Sequence, residues 1–150
     1  MKKIIQKISF IFFLLFLVSC AKNISEDYKQ ISIDNGNKTI KLNVEIADDN
    51  YKREKGLMFR ENLDENAGML FIFGNEAYET FWMKNTLIPL DIIFIDKYFK
   101  IANIEHAVPC KQDPCALYHS SKPVKYVLEV NAGFAMKNNI EVSNKIVLNQ

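Results

Sequence analysis

The chain is short of most features that make a function easy to read. It has 3 cysteines in 150 residues, too few for a disulfide-dense miniprotein. It lacks an excess of either charge, with 19 Lys and Arg against 18 Asp and Glu and a formal net charge of +1. Binding nucleic acid through phosphate contacts needs a basic surface, so this balance argues against that class. No apolar run reaches the ~20 residues that span a bilayer as a helix. There is no internal repeat, no low-complexity segment, no nucleophile elbow, no paired-carboxylate motif and no metalloprotease signature. What is present is ordinary globular composition, 49% hydrophobic and 25% charged, at a length that suits one domain.

The N-terminus is a different material from the rest. Lys2, Lys3 and Lys7 precede a short apolar run over residues 8–18. A cationic start with a run of that length is a secretory signal pattern. The run ends in Leu17-Val18-Ser19-Cys20, which resembles a bacterial lipobox. That resemblance implies removal of residues 1–19 as a lipoprotein signal peptide and lipidation of Cys20. A plain signal peptide, an uncleaved anchor and an ordinary thiol at Cys20 are the competing readings. Cleavage takes three lysines away and leaves 16 basic against 18 acidic side chains, a formal charge of −2. Acyl chains contribute ~0.8 kcal/mol per buried CH₂, so several together hold a domain on a membrane. Ala21 resembles the residue found in lipoproteins sent to the outer membrane, which implies its periplasmic side if the cell has two membranes. Residues 20–30 then read as the lipidated Cys and a polar tether, and 31–150 as one domain.

Within that domain the pattern is β. Residues 31–33 lead into Asp34-Asn35-Gly36-Asn37, and Asn-Gly is a strong hairpin turn. Ile40, Leu42, Val44 and Ile46 alternate with polar residues, a strand with one buried face. Asp48 or Asp49 is placed to cap a short helix over 50–55, closed by Gly56. Residues 70–73 between Gly68 and Gly74 read as a strand covered on both faces. Further strands are expected at 81–83, 90–95, 101–104 and 126–131, with a helical turn at 134–138. Residues 140–142 and 146–148 are expected to close the chain as a hairpin. The fold class that follows is mainly β, a compact sandwich or jelly-roll-like barrel with one or two short helices.

Four segments carry a family resemblance. They are Gly56-Leu57-Met58-Phe59-Arg60, Gly68-Met69-Leu70-Phe71-Ile72-Phe73, the stretch from Phe81-Trp82-Met83-Lys84-Asn85-Thr86 through Pro89-Leu90-Asp91 to Asp96, and Tyr126-Val127-Leu128-Glu129-Val130-Asn131-Ala132-Gly133. Together they resemble the DUF192 family, also called UPF0127, over about residues 38–148. The resemblance implies a compact β-rich, often exported domain, and implies no reaction. Two positions depart from it. Tyr98-Phe99 stands where the family often has Asp-Gly, so that turn is expected to take another shape, since Phe tolerates positive φ poorly. Ser143-Asn144 stands in place of Gly-Asp, and Asn can supply the left-handed residue.

Candidate site residues come from the same segments. Trp82, Lys84, Asn85 and Asp91 form either a core aromatic beside a satisfied polar corner, with Lys84 paired to Asp91 or Glu129, or the wall of a ligand pocket. Arg60 is a fork for a carboxylate, either internal or on a ligand. Glu129 lies within an apolar strand, where a covered charge needs a partner or its pKa rises. Glu129 or Asp91 is also the candidate for acid–base catalysis, with Lys84 or Arg60 stabilising negative charge, as in an envelope hydrolase or lyase.

His106, Cys110, Cys115 and His119 fall within fourteen residues. An exported compartment favours a Cys110–Cys115 disulfide. A four-ligand zinc or copper site and a pair of free thiols are the alternatives. No cofactor is expected. The expected partners are the membrane through Cys20 and a small ligand or another envelope protein, with the domain a monomer.

Overall fold

The computed structural model describes residues 28–148. The signal segment, Cys20 and the tether up to residue 27 lie outside the described residues. The first strand, β1 (Tyr28–Asp34), starts three residues before the expected domain boundary and pairs antiparallel with β2 (Thr39–Ala47). Their turn is held by Asp34 Oδ1, which accepts from Gly36 N, and by Asn35 Oδ1, which accepts from Asn37 N and Lys38 N. Gly36 has φ +84°, the conformation the Asn-Gly pair predicts.

From β2 the chain passes through α1 (Asn50–Lys55) and returns as β3 (Ala67–Ala77), which lies parallel to β2. Asp49 caps α1, its carboxylate accepting from Lys52 N at 2.8 Å, and Gly56 closes it. After β3 come β4 (Thr80–Trp82), β5 (Leu90–Ile95), β6 (Ile101–Ala107), β7 (Leu117–His119), β8 (Val124–Asn131), α2 (Phe134–Lys137) and β9 (Lys145–Leu148). One sheet holds seven strands in the order β6-β5-β8-β3-β2-β1-β9, and β4 pairs with β7 as a separate two-stranded flap. The large sheet curls, so that its two ends meet: Ser143 N donates to Ile101 O, Ile146 N to Phe99 O, and Lys100 bridges Lys145. The result is a mainly β half-barrel with two short helices, as expected.

The sheet is buried on both faces, with β5 buried along its whole length. One face packs Ile31, Ile33, Leu42, Leu70, Ile93 and Leu128 against Phe134 and Ala135 of α2. The other packs Met69, Phe71, Leu90, Ile92, Phe94 and Val127 beneath the flap and the loop after α1. Phe81 of β4 seals that second layer with edge-on contacts to Phe71, Phe73 and Phe94. Phe81 is half-buried, so its burial contributes less than the about 1.5–3 kcal/mol of a fully buried Phe.

Two expectations fail at the turns. Phe99 does adopt positive φ, +61°. The Asp96 carboxylate accepts from Tyr98 N and Lys100 N, and the Phe99 ring stacks on Tyr126 at 4.8 Å, so local hydrogen bonds and stacking offset the strain. The expected C-terminal hairpin is also absent. Residues 140–142 are not a strand, and β9 pairs instead with β1, Ile33 opposite Ile146. Ser143, not Asn144, takes the left-handed conformation there, at φ +73°.

Candidate functional site

The flap decides where the tryptophan goes. Along β4, Phe81 points into the core and Trp82 alternates outward, left 48% exposed. Met83 turns inward again and is buried, so the adjacent pair of large apolar residues divides between solvent and core. The chain then reverses through Lys84 and Asn85. Thr86 N donates to Met83 O, and Asn85 adopts φ +58°, a conformation Asn accepts more readily than most residues. Asn85 is therefore present at least in part for its backbone, and its carbonyl accepts from Phe59 N at 2.8 Å.

That hydrogen bond ties the Trp82 loop to the loop after α1. Between them runs an open groove of about 450 Å³ lined by Tyr51, Glu54, Lys55, Met58, Trp82, Lys84 and Asn85. Lys84 Nζ sits 5.5 Å from the Trp82 ring centre and 3.4 Å from Asp113. On its other side Trp82 borders a second hollow, about 370 Å³, with Arg53, Phe73, Glu79 and Phe81. Burial raises the pKa of Glu79 there. A larger depression of about 690 Å³ is lined by Tyr28, Asn43, Asp64, Glu65, Asn66 and Ala67. It holds none of the residues singled out by sequence, and among its lining residues there is no cation.

The Cys110–Cys115 disulfide forms. Its loop buttresses the groove: Cys110 N donates to Met83 O at 3.3 Å, and Asp113 meets Lys84. The four-ligand metal alternative does not assemble. Both sulfurs are bonded to each other, His119 Nδ1 lies 3.0 Å from Thr80 Oγ1, and His106 Nδ1 lies 2.7 Å from Asp91 Oδ1.

The remaining candidates are elsewhere. Arg60 forks onto both carboxylate oxygens of Glu45, the internal ion pair. Asp91 is fully buried, and besides His106 it accepts from Gly133 N at 3.1 Å and Ala135 N at 2.9 Å. Its carboxylate thus ties β5 to the start of α2 and to the His106 ring. Lys84 pairs with Asp113, not with Asp91 or Glu129.

Glu129 is 5% exposed, and its Oε2 has no hydrogen-bond partner among the described residues. Its cross-strand neighbours are Met69 and Ile92, with Gly56 above it. Burial pushes its pKa up to about 8, so it is a neutral acid at physiological pH.

Of six proposed ligand-binding residues, the structure therefore brings together Trp82, Lys84 and Asn85. It leaves Arg60 in an ion pair and Asp91 and Glu129 inside the sheet. Tyr51, Lys55 and Met58, the opposite wall, were not singled out. Their only signal was the short capped helix and the loop after it, and no local pattern says which residues a helix end presents to another loop.

Solved structures share this fold. A protein from Sinorhizobium meliloti, described as a proposed transcription regulator, superposes with a TM-score of 0.76 at 36% identity, covering 83% of this chain and 95% of that one. A protein of unknown function from Novosphingobium aromaticivorans superposes with a TM-score of 0.75 at 32% identity, covering 79% and 84%. No curated protein matches the chain. The model of the family described as "DUF192: Uncharacterized ACR" matches residues 31–148. The chain belongs to the DUF192 family.

Proposed function

We propose that this chain is a membrane-tethered, extracytoplasmic binding domain whose ligand occupies the Trp82 groove. The observation that carries this reading is the half-exposed indole of Trp82, flanked by Lys84 and Asn85 and facing Tyr51 and Lys55 across about 450 Å³. An aromatic platform with a few oriented polar groups suits a ligand that offers one flat apolar face and a nearby anionic group. The Cys110–Cys115 bond supports an oxidising compartment. Among the described residues no helix is long and apolar enough to cross a membrane. In this reading the lipid on Cys20 supplies the attachment.

The enzyme alternative draws less support. The two carboxylic acids singled out for acid–base catalysis, Asp91 and Glu129, are both inside the sheet and do not line this groove. Arg60 is engaged by Glu45.

Trp82 is the only tryptophan in the chain, so its emission reports on this groove and the hollow on its other side. Titration with muropeptides and acidic oligosaccharides is expected to produce a saturable emission change. The Lys55→Gln, Lys84→Gln double variant should weaken it without loss of folded signal. A flat emission across these probes would remove the small-ligand reading. Metabolic labelling with palmitate, lost in Cys20→Ser, tests the tether.

A further inference from the structure

The groove and the hollow on the two sides of Trp82 join into one trough. Glu54 and Trp82 line both the hollow of about 370 Å³ and the groove of about 450 Å³. One wall is α1 with the loop after it, from Asn50 to Met58, and the other is β4 with its flanking turns, from Glu79 to Asn85. Glu79, Thr80, Phe81 and Trp82 all border the hollow. Successive side chains of a strand point to opposite faces, so four consecutive residues share one hollow only along the strand's edge.

That edge is open. Among the described residues β4 pairs only with β7. Glu79 O accepts from Ser120 N at 3.0 Å, one step beyond the Thr80–His119 pair. Antiparallel pairs alternate between bonded and non-bonded, so Phe81 exchanges its bonds with Tyr118, while Thr80 and Trp82 turn their N–H and C=O groups away from β7. An open edge with unpaired donors and acceptors is a template for one more strand. The charges along the trough are mixed. Glu79 stands partly buried at one end, and burial raises its pKa. Arg53 is near enough to act on it, yet its guanidinium donates instead to the Asp48 and Ile72 carbonyls and to Asn50 Oδ1. Lys55 and Lys84 stand at the other end, Lys84 with Asp113 beside it, and Glu54 lies between. An acid at one end, bases at the other and an indole between them complement a strand with opposite charges on either side of an apolar residue. They do not suit a surface of a single sign.

We propose that an extended polypeptide segment of a partner protein adds to the open edge of β4 as the third strand of the flap, laying an apolar side chain on Trp82, a basic one toward Glu79 and an acidic one toward Lys55. This rests on the reading of the Trp82 groove as a binding site, and it names the partner as polypeptide. Backbone hydrogen bonds to Thr80 and Trp82 supply the attachment, and the side chains supply the selectivity.

The test uses the full chain in detergent solution and the acetylated, amidated heptapeptide Thr-Lys-Thr-Phe-Thr-Asp-Thr, whose charged and aromatic residues share one face of a strand. The expected result is a saturable change in Trp82 emission, with amide exchange at Thr80 and Trp82 slowed about ten-fold or more at saturation. Methylating the peptide's backbone nitrogens at alternate residues separates strand addition from other modes. One alternate set should lower affinity about ten-fold or more, and the other should stay within about three-fold. Glu79→Gln should weaken this peptide several-fold and leave a version with Gln in place of Lys unaffected; equal affinities for the native chain and the variant would overturn the charge assignment. No saturation up to about 1 mM peptide would overturn the proposal, as would two methylated sets that bind alike, or unchanged exchange at Thr80 and Trp82. If muropeptides shift Trp82 but the peptides do not, strand addition falls and the groove reading stands. If neither acts, both fall.

Discussion

Replacing Glu129 by Gln tests the electrostatics of the core directly. The native carboxyl is buried among Met69, Ile92 and Phe71, near Gly56, and burial holds its pKa at about 8 against an ordinary 4.5. In the unfolded chain the same group releases its proton near 4.5. Between those values the native state binds one proton more than the unfolded state. Raising the pH through this window therefore favours unfolding, by about 1.4 kcal/mol per pH unit. Across the window from 4.5 to 8 the loss is on the order of 4–5 kcal/mol, which is large against a whole-domain stability of about 5–15 kcal/mol. Below the lower value none of it is lost, and above the upper value the loss is complete. Gln keeps the shape and cannot titrate.

The assay is urea unfolding of both proteins from pH 5 to pH 9 with the disulfide intact. The variant is expected to match the native chain to within about 1 kcal/mol near pH 5 and to exceed it progressively toward pH 8. Other groups move the absolute curves. Asp48, Glu65 and Asp96 have lowered pKa values and favour the native state above the carboxylate range, while Glu79 acts the opposite way. All of them are common to both proteins, so the difference isolates Glu129. Parallel curves would mean the native Glu129 ionises normally, and the reasoning from burial would be wrong.

Three further outcomes follow from close contacts. A Cβ at Gly68 would stand 2.6 Å from the Glu129 carbonyl oxygen and 3.0 Å from Val130 Cγ1, so Gly68→Ala must push β3 off β8 and should cost about 1–3 kcal/mol or more in urea unfolding; a cost below about 0.5 kcal/mol would contradict the packing. Asp91→Asn weakens acceptance from His106, Gly133 and Ala135 at once and should cost about 1.5–3 kcal/mol, more than His106→Gln, and the reverse order would refute the view of Asp91 as the tie between β5 and α2. Cys110→Ser with Cys115→Ser opens a loop of sequence separation 5 and should cost no more than about 2 kcal/mol, while Trp82 anisotropy falls because the buttress of Met83 and Lys84 loosens; unchanged anisotropy would separate that loop from the groove.

Much of the sheet was legible because its signals are local. The Asn35-Gly36 turn, the alternation of β2, the Asp49 cap and the 90–95 strand each rest on a few neighbouring residues. What failed depends on residues far apart in the chain. Ile146 looks like half of a hairpin with its near neighbours until β1 is available to pair with it. Phe99 looks forbidden at positive φ until Tyr126 is stacked on it and Asp96 fastens its turn. β3 runs through both Gly68 and Gly74, which read as boundaries, because one of them is needed for close approach to β8.

The site followed the same division, and the two carboxylates show why. By composition Asp91 and Glu129 are interchangeable, each an acid within an apolar strand. Register separates them. Asp91 lies opposite Val130 and Ile92 opposite Glu129, so in adjacent strands the two acids point to opposite faces of the sheet. On its face Asp91 meets backbone donors at the start of α2 and the His106 ring, and its lone pairs are used in holding the fold. On the other face Glu129 meets methionine, isoleucine and phenylalanine, and keeps its proton. A mechanism that needs the pair is therefore closed by geometry. Trp82 obeys the same alternation in the opposite sense: because Phe81 fills the core position, the indole is the side chain left over for the outside. Period two in a three-residue flap strand thus decides which aromatic holds the domain together and which is free to touch something else.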